Sequence, residues 1–212
     1  MSVKPIFFAL DGKHLDNFSR ELEILKGNIY GVKVGLEMFT SEGPSSVEKL
    51  KKDGWTVFLD LKLHDIPNTV QAAAISAGNI GADYLTIHIA SGKEALLAAK
   101  ESKPENLKLL GVSTALTSKA YSPQISQRVY EEFLLAKESK IDGVICPPSE
   151  LFKTKELFEL IVTPGIRLKN DDSHDQKNIT TPEKAIRDGA SYLVMGRSIR
   201  QNINYVVEKL KL

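Results

Sequence analysis

The sequence predicts an α/β protein, a single-domain (β/α)8 barrel of the TIM type over residues 1–212, and three observations carry that expectation. Short apolar, β-branched-rich runs alternate with longer amphipathic segments from one end to the other. Eight such units fit into one modest chain, the number that closes a parallel barrel. Charged residues also stand where the strands of such a barrel would end, the side on which barrels of this kind carry chemistry.

The first run, Ile6–Leu10, ends at Asp11-Gly12, and the second is Tyr30–Val34. A helical pattern over Ser45–Lys52 leads to the third run, Thr56–Leu61, and another over Thr69–Asn79 leads to the fourth, Tyr84–Ile89. Lys93–Lys100 precedes Leu107–Val112, Gln127–Lys137 precedes Gly143–Cys146, and the last two runs are Leu160–Thr163 and Tyr192–Met195, separated by the helical Pro182–Asp188. Gly81-Ala82-Asp83 and Asp188-Gly189-Ala190 read as helix-to-strand turns with glycine at the helix end. An open doubly wound sheet is the structural alternative. It is weakened because no G-x-G-x-x-G follows the first run.

Hydrophobic residues at 42% and charged residues at 26% suit a globular protein, and a net charge of +1 gives no reason to expect a nucleic-acid partner. The single cysteine, Cys146, excludes an internal disulfide, and its setting in Val144-Ile145-Cys146 reads as a buried thiol. No stretch of about 18 apolar residues and no N-terminal signal segment is present, so the expectation is a cytoplasmic protein with no membrane partner. The four histidines, His14, His64, His88 and His174, show no H-x-x-x-H spacing, and no metal site is expected.

Strand alternation sharpens the third run. Val57, Leu59, Leu61 and Leu63 share one face, suited to packing under helices, whereas Asp60 and Lys62 share the other and point into the barrel mouth. Asp65 follows in the loop, Lys33 takes the inner face of the second run, and Asp11 closes the first. Lys33, Asp60, Lys62 and Asp65 are thus aimed at one region and must neutralise one another, because buried unpaired charge is costly. Each has a plainer reading: Asp65 as a cap for the helix after Pro67, Lys33 and Asp60 as a structural ion pair, Asp11 as a turn residue, Arg197 as a solvated helix-start arginine.

Asp60-Leu61-Lys62-Leu63-His64-Asp65-Ile66-Pro67-Asn68-Thr69 resembles the D-x-K-x-x-D-I-P-x-T signature of the orotidine 5'-monophosphate decarboxylases. The resemblance runs along the chain through Ala9-Leu10-Asp11, Val32-Lys33-Val34-Gly35, Leu116-Thr117-Ser118, Thr163–Arg167, Asp175-Gln176-Lys177 and Met195–Ile199. It implies conversion of orotidine 5'-monophosphate to uridine 5'-monophosphate (UMP) and CO2 by a homodimer that uses no cofactor. Asp60 and Lys62 would act in their own subunit, with Asp65, Ile66 and Thr69 donated across the interface. Asp11 and Lys33 would meet the ribose and the charged network, and Thr117 the pyrimidine. Gln176, Gly196 and Arg197 would hold the phosphate, with Arg167 close by.

Barrels commonly bind phosphate between the loops after the seventh and eighth strands, which supports that last assignment independently. The Lys169–Thr181 stretch, rich in Asp, Asn, Ser and Thr, suits a closing lid. Asn178 and the loop His88–Gly92 depart from the family's usual pattern. Two rivals remain. A Mg2+-dependent sugar-phosphate barrel of the same superfamily would carry an acidic residue in place of Lys33, and a non-catalytic nucleotide-binding barrel would have no use for Lys62 between carboxylates.

Overall fold

The computed structural model describes residues 3–117, 122–168 and 180–212, without the side chains of Ala115 and Thr117. Eight strands, β1 (Lys4–Leu10), β2 (Ile29–Gly35), β3 (Val57–Leu63), β4 (Tyr84–His88), β5 (Lys108–Val112), β6 (Gly143–Ile145), β7 (Ile161–Thr163) and β8 (Tyr192–Met195), pair in parallel in chain order. β8 returns to pair with β1, with Phe7 opposite Val194, and the barrel closes.

The connecting helices are α1 (Ser19–Leu25), α2 (Leu36–Glu42), α3 (Pro44–Lys52), α4 (Pro67–Asn79), α5 (Lys93–Ser102), α6 (Pro123–Glu138), α7 (Leu151–Thr154), α8 (Pro182–Asp188), α9 (Arg197–Gln201) and α10 (Ile203–Glu208). α6 starts four residues before the periodicity alone suggests. Pro123 takes its first position, and Ser122 Oγ accepts from the Ile125 amide at 3.3 Å. α8 opens the same way, with Thr181 as cap and Pro182 behind it.

Alternation along each strand divides the core in two. Val32, Val34, Val57, Leu59, Leu85 and Ile87 face outward and are fully buried under the helices. Inside the barrel, Phe7 is ringed by Tyr30, Phe58, Tyr84 and Tyr192 at centroid distances of 5.3–5.4 Å, and Tyr30 and Tyr84 share a hydroxyl–hydroxyl hydrogen bond of 2.8 Å. Gly31 makes room for this plug: a Cβ there would lie 2.5 Å from the Thr56 carbonyl and 2.9 Å from the Phe7 ring. The four rings around Phe7 come from the first two positions of their strands, so the plug floors the barrel. The strands' C-terminal ends stay clear for polar residues.

Cys146 lies in the outer core, fully buried, and burial pushes its thiol up to about 12. Among the described residues no helix is long and apolar enough to cross a membrane.

Candidate active site

A cavity of about 220 Å³ opens at the C-terminal ends of the strands. Its walls differ in chemistry. Asp11, Lys33, Asp60 and Lys62 form one side; Phe58, Leu116, Ile145 and Val194 give an apolar surface; Gly165, Arg167, Gly196 and Arg197 form the far, basic end. An elongated ligand with an anionic tail and a flat apolar ring fits that order of surfaces.

The charged side is a chain of contacts. Asp11 Oδ1 accepts from Lys33 Nζ at 3.3 Å, and the same ammonium lies 3.5 Å from Asp60 Oδ2. Asp60 Oδ1 in turn accepts from Lys62 Nζ at 2.8 Å. Exposure grades along the row: the side chains of Lys33 and Asp60 are 11% and 13% exposed, that of Asp11 68%. Burial alone would raise the Asp60 carboxyl. Lys33 first and Lys62 second outweigh it, with hydrogen bonds from Lys62 and Thr86, so Asp60 is held below the usual carboxylate range.

Lys62 faces the cavity, as alternation predicts, but by an unexpected route. Its φ is +51°, the left-handed region, which costs a non-glycine residue on the order of 1–3 kcal/mol. The β3–β4 register shifts between Leu59 and Leu63 at the same place. The Lys62 amide leaves the ladder and donates to the hydroxyl of Thr86 at 2.8 Å, while that hydroxyl donates to Asp60 Oδ1 at 3.0 Å.

A family model described as "Orotidine 5'-phosphate decarboxylase / HUMPS family" matches residues 4–210. The chain belongs to this family. Within it, the chain is 40% identical to an orotidine 5'-phosphate decarboxylase of Fusobacterium nucleatum, over 95% of this chain and 91% of that one. It is 42% identical to the enzyme of that name from Oenococcus oeni, over 93% and 92%. The solved structure of orotidine 5'-phosphate decarboxylase from Lactobacillus acidophilus superposes with a TM-score of 0.78 at 33% identity, covering 93% of this chain and 92% of that one.

Set against the expectations drawn from the family signature, Asp11, Lys33, Asp60, Lys62, Arg167, Gly196 and Arg197 all line the one cavity. Gly196 stands where a Cβ would approach Asp11 Oδ2 to 3.3 Å, so the eighth strand's end packs tightly on the first. Arg167 is buried, and its guanidinium donates to the Ile166 carbonyl at 2.9 Å. Asp65, Ile66 and Thr69 are exposed and stand outside the cavity of their own chain; Asp65 Oδ1 accepts from the Ile66 amide at 2.7 Å, at the entry to α4. Thr117 closes a 3-10 turn, Thr114–Thr117, whose Leu116 lines the cavity. Gln176, with Asp175, Lys177, Asn178 and His174, lies outside the described residues, as does most of the Lys169–Thr181 stretch. His64 and His88 meet as a tilted ring pair 5.4 Å apart, and burial, then His64 and Lys62, hold His88 below the ordinary imidazole range. Among the described residues, no group of three or more His, Cys, Asp or Glu is placed to hold a metal ion.

Two residues that contact the site's framework were not singled out from the sequence. Thr86 shares the inner face of β4 with Tyr84, a position that alternation alone identifies. Glu132 of α6 accepts from the Thr114 amide at 2.9 Å and hydroxyl at 2.6 Å, tying down the turn that carries Leu116. Burial would raise its carboxyl, but hydrogen bonds from Ser113, Thr114 and Arg128 hold it low.

Proposed function

We propose that the chain decarboxylates orotidine 5'-monophosphate to UMP and CO2, with fixed charges of the protein in place of a metal or organic cofactor. One observation carries this reading: the Asp60–Lys62 pair sits at 2.8 Å on the wall of a cavity whose opposite end is built from Arg167, Gly196 and Arg197. The phosphate would engage the basic end, the ribose would meet Asp11 and Lys33, and the pyrimidine would lie along the apolar surface with C6 toward Lys62. Thr117 and Gln176 would complete the base and phosphate contacts.

In the proposed step the C6–carboxylate bond breaks and its electron pair stays on C6. Lys62 Nζ then passes a proton to C6 and recovers one from solvent after product release. Asp60 beside the substrate carboxylate would repel it in the bound state, and that repulsion vanishes as neutral CO2 forms. Two like charges about 4 Å apart are worth about 4 kcal/mol at an effective dielectric of 20. Enzymes generally supply about 8–23 kcal/mol. Positioning and the remote phosphate contacts therefore carry much of the remainder.

The reading includes a homodimer. Ile66 is 66% exposed, and a neighbouring chain would cover it. Asp65 and Thr69 beside it would reach the neighbouring chain's cavity, Asp65 flanking Lys62 there. The Mg2+-dependent sugar-phosphate alternative is disfavoured by Lys33. Its ammonium lies 3.3 Å and 3.5 Å from Asp11 and Asp60, where a divalent cation would need the same oxygens.

The test is loss of orotidylate absorbance with purified protein stripped of metal by chelation. Turnover unaffected by chelator is expected. Absence of turnover with and without Mg2+ would refute the reading, and strict dependence on Mg2+ would transfer the chain to the alternative.

A further inference from the structure

We propose that Thr86 is a positioning residue for the decarboxylation. Its hydroxyl holds the Lys62 backbone in the left-handed turn that aims the ammonium at the cavity, and it sets the Asp60 carboxylate beside that ammonium. The inference rests on the function proposed above and deepens it. Thr86 does not line the cavity and would not touch substrate.

A threonine hydroxyl has one proton to give and lone pairs to receive. Both capacities are used here, and both on the central pair: the Lys62 amide donates to Oγ1 at 2.8 Å, and Oγ1 donates to Asp60 Oδ1 at 3.0 Å. Asp60 Oδ1 is also the acceptor for Lys62 Nζ at 2.8 Å. The two atoms that set the geometry of the reacting ammonium, its own backbone nitrogen and its carboxylate partner, therefore share a single hydroxyl. That hydroxyl comes from the next strand.

The need for it follows from the ladder. In regular alternation the Lys62 amide, like the backbone of Thr56, would face β2, but β2 ends at Gly35 opposite Asp60, the β3–β4 register shifts between Leu59 and Leu63, and Lys62 takes φ +51°. An amide left without a partner would not hold that conformation. The Thr86 side chain replaces the missing carbonyl, and its full burial excludes water from doing the same. A β-branched residue that merely filled space would be replaced by valine without consequence.

The experiment compares Thr86→Val, which keeps the shape and removes the hydroxyl, with Thr86→Ser, which keeps the hydroxyl and removes a methyl. In Thr86→Val, kcat falls about 10- to 100-fold through misplacement of the ammonium, while KM and UMP affinity stay within about threefold because the phosphate and base contacts are untouched. Thr86→Ser restores most of kcat. A readout independent of substrate accompanies these. The Lys62 amide, followed by hydrogen–deuterium exchange in labelled protein, is protected in the wild type and in Thr86→Ser and loses protection in Thr86→Val.

Equal kcat in Thr86→Val and wild type overturns the proposal, as does an equal loss in Thr86→Ser and Thr86→Val. Should Thr86→Val fail to fold, Thr86→Ala carries the same comparison. Wild-type protein that leaves orotidylate unchanged sinks the function proposed above, and the exchange of the Lys62 amide then decides whether Thr86 holds that backbone.

Discussion

Replacing Lys33 with methionine removes one cation from the middle of the charged row and keeps much of its volume. Two partners lose a charge, and they differ. Asp11 is 68% exposed, so its pairing is screened and contributes about 0–1 kcal/mol. Asp60 is 13% exposed and 3.5 Å away, which at an effective dielectric of 20 is an attraction of about 5 kcal/mol before desolvation is counted. Removing one partner of a buried pair costs about 3–5 kcal/mol. Asp60 keeps Lys62 at 2.8 Å and Thr86 at 3.0 Å, which places the expectation at the low end, about 3 kcal/mol. For a chain of this length that is a fall in Tm of about 6–12 °C, followed by circular dichroism at a fixed scan rate.

The deficit also has a pH signature. The folded Asp60 carboxyl lies below its ordinary 3.8. Its stabilising contribution is therefore present above that value and lost as pH falls through the folded one. Without Lys33, the largest influence holding it down, Asp60 moves upward. The gap between variant and wild type is full near neutral pH. It closes on acidification, between the variant's raised carboxyl and the wild type's depressed one. A Tm within about 2 °C of wild type near pH 7, or a gap that does not change with acid, would refute the electrostatic account of the row.

Lys62→Ala is expected to bind UMP within a few-fold of wild type, measured by calorimetry, while turnover falls by at least about 100-fold, the scale of a lost general acid. Arg197→Ala should raise KM for orotidylate far more than it lowers kcat; an unchanged KM in initial-rate assays would contradict the phosphate end. Inactive Lys62→Ala and Asp65→Ala chains, mixed and exchanged, should regain activity if sites are shared between subunits, and confirmed mixed dimers without activity would count against sharing. Cys146, with its thiol near 12 and fully buried, should resist iodoacetamide at about pH 8 in the native protein and take up one equivalent in denaturant, by intact mass.

Much of the fold is legible in the sequence because the barrel repeats one simple pattern. Tyr192–Met195 is found at the bounds expected, and Gly143–Cys146 and Leu160–Thr163 each shorten by a single residue at one end. Short helices such as α7 and α9 carry too few turns for periodicity to mark them. At the site, alternation correctly turned Asp60, Lys62 and Lys33 inward. It could not announce the left-handed turn at Lys62, because lysine has no preference for that conformation and the hydroxyl that holds it lies 24 residues away. Glu132 escaped for a similar reason: a carboxylate on an amphipathic helix looks like any solvated residue until the turn it clamps, 18 residues earlier, is brought against it. Asp65, Ile66 and Thr69 illustrate a different gap, since no single chain can display what a second one would receive.

The four rings packed around Phe7 have a consequence for traffic. With the lower end of the cylinder stoppered, whatever enters leaves by the same doorway, so a gas molecule and a nucleotide made together share one exit. Any loop that narrows that rim delays both.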